Sequence, residues 1–81
     1  MKIFTVFDAK AEAYLQPFYA RTNGEAIRSF AEACSNPEHN FCKYGADFTL
    51  FDIGEFDENT GVITPCVPHA LGNGLDLKIN Q

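Results

Sequence analysis

The chain has 81 residues and a mass of 9.0 kDa, which suits one compact domain and leaves too little material for a second core. Hydrophobic residues make up 46% and charged residues 21%, so disordered and fibrous classes are excluded. Six Lys and Arg face eleven Asp and Glu, and a net charge of −5 argues against affinity built on neutralising many phosphates. Apolar runs are too short for a membrane span or a secretory signal, so no membrane partner is expected.

The first elements follow local signals. Residues 2–7 are rich in β-branched and aromatic side chains and stop at Asp8, which predicts a strand. Residues 17–21 predict a second strand with Pro17 at its entrance. Thr22 and Glu25 then fit a capping box, and the apolar spacing behind it predicts a helix over residues 23–35 that ends before Pro37.

The second half predicts a hairpin and a tail. Residues 38–46 are typical of a loop or single turn, residues 48–56 of a strand, residues 57–61 of a turn, and residues 62–64 of the returning strand. In the tail, Leu75, Leu77 and Ile79 alternate with polar residues at the strand period. We therefore predict a small α+β domain over residues 1–64, with one helix on a mostly antiparallel sheet in the order ββαββ. Residues 65–81 form a C-terminal tail, as an edge strand or an exchanged strand.

The apolar residues predict that one helix is not enough cover for the sheet. A helix of about 13 residues is roughly 20 Å long and shades about half of one face. Strand alternation places Phe4 and Val6 opposite Ile3 and Phe7, and it separates one set on the third strand (Phe48, Leu50, Phe56) from another (Phe51, Ile53). Exposed apolar patches of this size favour a homodimer, sealed through the aromatic sheet surface or by exchange of the C-terminal strand. The predicted interface residues are Phe4, Val6, Phe51, Ile53, Leu75, Leu77 and Ile79.

Basic and aromatic residues give a candidate site for single-stranded DNA. Lys2 and Arg21 would share one end of the sheet if the first two strands pair antiparallel, with Tyr19 beside them. Further basic residues would enlarge this site. The candidate nucleic-acid contacts are Lys2, Tyr19, Arg21, Arg28, Lys10 and Lys43. The alternative for Arg28 is a surface ion pair, because acidic residues lie three positions before it and four after.

The cysteine and histidine residues are candidates for metal ligands or nucleophiles. Three cysteines without an export signal indicate reduced thiols. Cys34, His39 and Cys42 with Cys66 and His69 include zinc-ligand types, but their spacing is irregular. No nucleophile motif, phosphate loop or dinucleotide fingerprint accompanies them. The sequence therefore predicts no metal site, no cofactor and no enzyme.

Four segments carry a resemblance to a known family: KIFTVFDAKAEAY, PF-x-A-R-T-x-GEAIRSF, NPEH and FTLF-x-IGEFD. Over residues 1–61 the chain resembles the small nonstructural protein of gokushoviruses, single-stranded DNA phages of the microvirus family. The resemblance implies a nonenzymatic protein of the host cytoplasm. It also implies a role in the change from double-stranded replicative DNA to synthesis and packaging of the single-stranded genome. Direct DNA binding is one interpretation, and the alternative is an adaptor that binds a replication or host protein without touching DNA.

Overall fold

The computed structural model describes residues 1–77 and contains a five-stranded antiparallel sheet with one long helix. This arrangement confirms the predicted α+β class, and it adds one short strand before the long helix to the predicted order ββαββ. The elements are β1 (Lys2–Asp8), β2 (Ala13–Tyr14), β3 (Phe18–Ala20), α1 (Asn23–Cys34), α2 (Asn40–Lys43), a 3₁₀ turn (Gly45–Asp47), β4 (Phe48–Phe56), β5 (Ile63–Asn73) and α3 (Gly74–Leu77). No helix within residues 1–77 has the length and hydropathy needed to cross a membrane.

Strand β1 lies inside the sheet, whose order is β2-β1-β4-β5. Strand β3 also pairs with β1, beside its first half, while β2 lies beside its last residues. Lys2 is opposite Ala20, so the predicted antiparallel pairing of the first two predicted strands is confirmed. The connection between β2 and β3 is tied to β1 where the N–H of Leu15 donates to the carbonyl of Val6.

Helix α1 covers one face of this sheet and begins where the capping signal predicts. The hydroxyl of Thr22 accepts a hydrogen bond from the N–H of Glu25 at 3.1 Å. Small and apolar side chains then join the helix to the strands in one buried cluster, which consists of Phe4, Val6, Ala20, Ala26, Phe30, Cys34, Phe48 and Leu50. The predicted interface role of Phe4 and Val6 is therefore wrong, because α1 covers both side chains within the same chain.

The short helix α2 is a single turn within residues 38–46, in agreement with one of the two predicted forms, and it covers part of the core, a role that the sequence did not predict. The ring of Phe41 in α2 lies 4.6 Å from that of Phe48 and 5.3 Å from that of Phe30, centroid to centroid. Leu77 of α3, which is partly buried, also packs against the buried cluster of its own chain, and its place in a dimer interface stays a prediction. Three of the eight phenylalanines are buried and the other five are half-buried. The chain thus covers much of its own phenyl surface, and cover of the remainder by a partner copy stays a prediction.

The C-terminal strand differs from its prediction. Strand β5 runs from Ile63 to Asn73, continues through the predicted boundary at residue 65, and forms an edge of the sheet. Gly74–Leu77 is a helical turn rather than the predicted strand, and exposed Leu75 lies on it. Ile79, the last predicted interface residue, lies outside the described residues.

A bulge in β4 moves Phe56 to the other face of the sheet. Ile3 lies opposite Gly54 and Phe4 opposite Asp52, so β4 has one extra residue between these pairs. Gly54 has a φ of +155°, and a Cβ there would lie 2.6 Å from the carbonyl oxygen of Thr64. The prediction that Phe56 shares a face with Phe48 and Leu50 is therefore wrong.

Candidate binding surface

Within residues 1–77, no paired strand residue on the sheet face turned away from α1 is charged. We call this surface the open face. Residues directly opposite one another in antiparallel strands share a face, and this register together with ring contacts and the groove lining identifies its members. They include Ile3, Thr5, Phe7, Tyr14, Leu15, Pro17, Tyr19, Thr49, Phe51, Ile53, Phe56, Ile63, Pro68, Ala70 and Asn73.

Aromatic contacts run across the open face in two groups. Tyr14 packs against Phe7 at 4.8 Å and against Phe51 at 5.6 Å between ring centroids. At the other end of β1, Tyr19 meets Phe56 at 6.1 Å. Tyr14 and Tyr19 nevertheless remain 50% and 51% exposed. The phenylalanines are thus partly sheltered by tyrosines, and the tyrosines are the rings that face solvent.

A groove of about 370 Å³ lies on the open face beside the connection between β2 and β3. Leu15 and Pro17 line it on the side of this connection, and Ile53 and Pro68 contribute from β4 and β5. The connection is held in place because the hydroxyl of Thr5, which is nearly fully buried, donates to the carbonyl of Leu15 at 2.7 Å. The result is a fixed apolar groove bordered by exposed side chains.

The charged side chains of β1 and β4 lie on the helix side of the sheet. Lys2, opposite Glu55, and Asp52, opposite Phe4, are on this side. The ammonium group of Lys2 is 2.9 Å from the carboxylate of Asp52. Its hydrogen bond to that carboxylate raises the pKa of Lys2. The cation predicted to contact phosphate is therefore already paired within the chain.

The predicted DNA contacts do not form one cluster. Lys2, Tyr19 and Arg21 share one end of the sheet, as expected. Lys10 follows the far end of β1, roughly 20 Å away along seven strand residues.

The remaining predicted cations lie on helices and not on the sheet. Arg28 projects from α1, with its Nε 3.6 Å from an oxygen of Glu32, which agrees with the alternative of a surface ion pair. Lys43 lies in α2. Tyr44 follows Lys43, is 58% exposed and lies beside Lys10. The sequence does not predict it as a site residue, because no sequence pattern links the segment of Lys10 with that of Tyr44.

The cysteines are dispersed as well. Cys34, the last residue of α1, is buried, Cys42 is partly buried, and the thiol of exposed Cys66 lies 3.7 Å from the backbone oxygen of Asp52. Within residues 1–77, no group of three or more His, Cys, Asp and Glu side chains is placed to hold a metal ion.

The family model described as Phage ORF5 protein matches residues 1–77 of the chain. Comparison with curated proteins and with solved structures gives no match.

Proposed function

The chain belongs to the phage ORF5 protein family, and we propose that it is a nonenzymatic accessory protein of viral genome replication that acts by binding protein at its open face. Its resemblance over residues 1–61 to the gokushovirus small nonstructural protein supports a role in the host cytoplasm during infection. The observation that carries the mode of action is the open face itself, which is apolar, half-exposed at its tyrosines and without charge.

The charge distribution favours a protein partner over DNA. Binding to nucleic acid depends on cations that neutralise phosphates and release counterions. The open face contributes none, and Lys2 at its end is paired with Asp52. The net charge of −5 adds long-range repulsion toward a polyanion. An uncharged apolar surface instead suits the desolvated centre of a protein interface.

One observation favours the second candidate function, direct binding of single-stranded DNA. Tyr19 is half-exposed, and Arg21 follows it two residues later at the same end of the sheet. Exposed rings of this kind can stack on bases, with a contribution of roughly 1 to 3 kcal/mol per base. In this candidate, Tyr19 is a stacking platform and Arg21 contacts a phosphate.

Two measurements test the proposal. In the first, the purified chain is titrated against a labelled single-stranded oligonucleotide at low salt, and fluorescence anisotropy is recorded. We expect no salt-dependent binding. Binding that weakens with salt and is lost in Arg21→Glu would overturn the protein-binding proposal in favour of DNA contact.

In the second measurement, phage genomes carrying single substitutions are compared for their yield of single-stranded genomes per infected cell. Tyr14→Lys places a charge on the open face, so we expect the yield to fall. Tyr44→Lys makes the same change at a similarly exposed tyrosine outside that face, and we expect it to leave the yield unchanged. Equal yields from the two variants would contradict a role for the open face.

A further inference from the structure

We propose that the protein bound at the open face is a second copy of this chain, which packs sheet against sheet about a twofold axis. The inference rests on the proposed function, because it names the partner of the same surface. In a twofold dimer the same surface serves both copies, so it must complement itself. The absence of charge, the dimensions and the shape of the open face each meet this requirement.

The charges favour a second copy, although each copy is acidic. Two copies with a net charge of −5 repel one another, and like charges brought together in an interface are costly. The open face avoids this cost because all its members are uncharged. The carboxylates of Asp52 and Glu55 lie on the helix side, so the two sheets would separate them from those of the partner copy. Face-to-face packing therefore places no pair of like charges in contact.

The dimensions of the face meet the requirement for a stable dimer. The five strands contain 32 residues in all, and each occupies about 3.3 Å along its strand and about 4.8 Å across the sheet. A flat surface of roughly 500 Å² per copy follows, or about 1,000 Å² for two, which reaches the ~1,000 Å² expected of a specific interface. Two such sheets would pack about 10 Å apart, as in a β-sandwich.

The open face has both an exposed side chain that projects into solvent and an apolar groove. Tyr19 projects into solvent with 51% of its surface exposed, while the apolar groove lined by Leu15, Pro17 and Pro68 is open on the same face. An aromatic ring packed into an apolar groove is a typical anchor of protein interfaces. Each copy can supply a ring and receive one, as twofold symmetry demands.

The edge of the sheet is a weaker site for self-association. Strand β5 contains Pro65 and Pro68, which have no N–H to donate to an added strand, and prolines on an edge discourage pairing. Leu77, which an exchanged C-terminal strand would release, packs against the core of its own chain. The open face is therefore the favoured site, and strand exchange is an outcome for the test to detect.

Sedimentation equilibrium of the purified chain, from micromolar to millimolar concentration, tests the inference. We expect a concentration-dependent mass that approaches twice 9.0 kDa. Leu15→Lys and Tyr19→Lys should each weaken the dimer by tenfold or more in Kd, because two symmetry-related lysines enter an apolar interface. Both substitutions reduce the net negative charge, so weaker general repulsion would act in the opposite direction. Tyr44→Lys is the control with the same charge change, and we expect its Kd to match that of the unaltered chain.

Each result has one meaning, provided that urea unfolding shows the variants to be folded. If Leu15→Lys fails to fold, Tyr19→Lys alone decides, since its side chain is the more exposed. A monomer at every concentration overturns the inference, and so does a dimer that neither open-face variant weakens, the result that strand exchange predicts. The proposed function is judged separately by genome yield: a monomer whose Tyr14→Lys variant lowers the yield still binds another protein at the open face.

Discussion

Truncation of Phe41 tests whether the chain shelters its own phenyl rings. Phe41 belongs to α2 and is partly buried, and its ring packs between those of Phe30 and Phe48. Replacing it with alanine removes the cover that α2 provides over this part of the core. If a single protomer already encloses its phenylalanines, this substitution should destabilise the fold to the same extent at every protein concentration.

The expected loss can be worked from the burial of Phe41. A fully buried Phe→Ala substitution costs about 3 to 5 kcal/mol, because transfer and cavity effects add. Phe41 is only partly buried, so we expect a loss of about 2 kcal/mol in the free energy of unfolding. A domain of this length is stable by roughly 4 to 12 kcal/mol. The same loss should lower the Tm by about 8 to 16 °C, as expected for a small domain.

Urea unfolding followed by circular dichroism at two protein concentrations measures this loss. Tyr44→Ala is the matched control, because Tyr44 lies three residues later and is 58% exposed. It should cost less than about 0.5 kcal/mol. A loss below about 1 kcal/mol in Phe41→Ala would refute the role of α2 as a cover. A loss that depends on concentration would instead assign the shelter of this ring to a partner copy.

Three further predictions follow from single contacts. Thr22→Ala removes the hydroxyl that caps α1 and should lower the free energy of unfolding, measured by urea titration, by about 1 kcal/mol. Thr22→Ser keeps a hydroxyl at the cap and should retain most of this stability. Gly74→Ala would place a Cβ 2.5 Å from the carbonyl oxygen of Gly45, so a loss of about 1 to 3 kcal/mol is expected, and an unchanged Tm would contradict this close approach. Because Asp52 raises the pKa of Lys2 above 10.5 in the folded state, the pair stabilises the fold below that pH, and the contribution is lost as pH rises through the folded-state pKa. Thermal unfolding as a function of pH should show this loss in the unaltered chain and lack it in Lys2→Met.

Where local signals are strong, the sequence predicted the elements closely. The capping box at Thr22 and the apolar period behind it place α1 within a residue of its observed bounds. The predicted strand over residues 48–56 coincides with β4. These elements are determined by interactions between near neighbours in sequence, such as a hydroxyl with an N–H three residues on, and such interactions can be read from one segment alone.

The remaining features depend on contacts between distant segments. Helix α2 has four residues, too few for a periodic signal, and its position depends on the packing of Phe41 against Phe48. Strand β5 continues past Pro65 and Pro68 because edge strands accept prolines, yet its edge position is known only once β4 has a partner. The bulge before Gly54 reverses the face of Phe56, which alternation alone assigns to the wrong side.

The two faces of the sheet were equally apolar in the sequence, and side-chain size and charge explain which one α1 covers. A helix can approach a sheet closely where small residues meet, and Ala20 of β3 lies in the same buried cluster as Ala26 of α1. Lys2 and Asp52 occupy the same side near one end of β1, where a charged pair retains access to water and neither member is fully desolvated. Within residues 1–77, the strand residues of the opposite side carry no charge for solvation, and rings from Phe7, Phe51 and Phe56 occupy much of its surface. Its bulky, uncharged side chains are instead suited to packing against another flat apolar surface, which is the property that the open-face variants test.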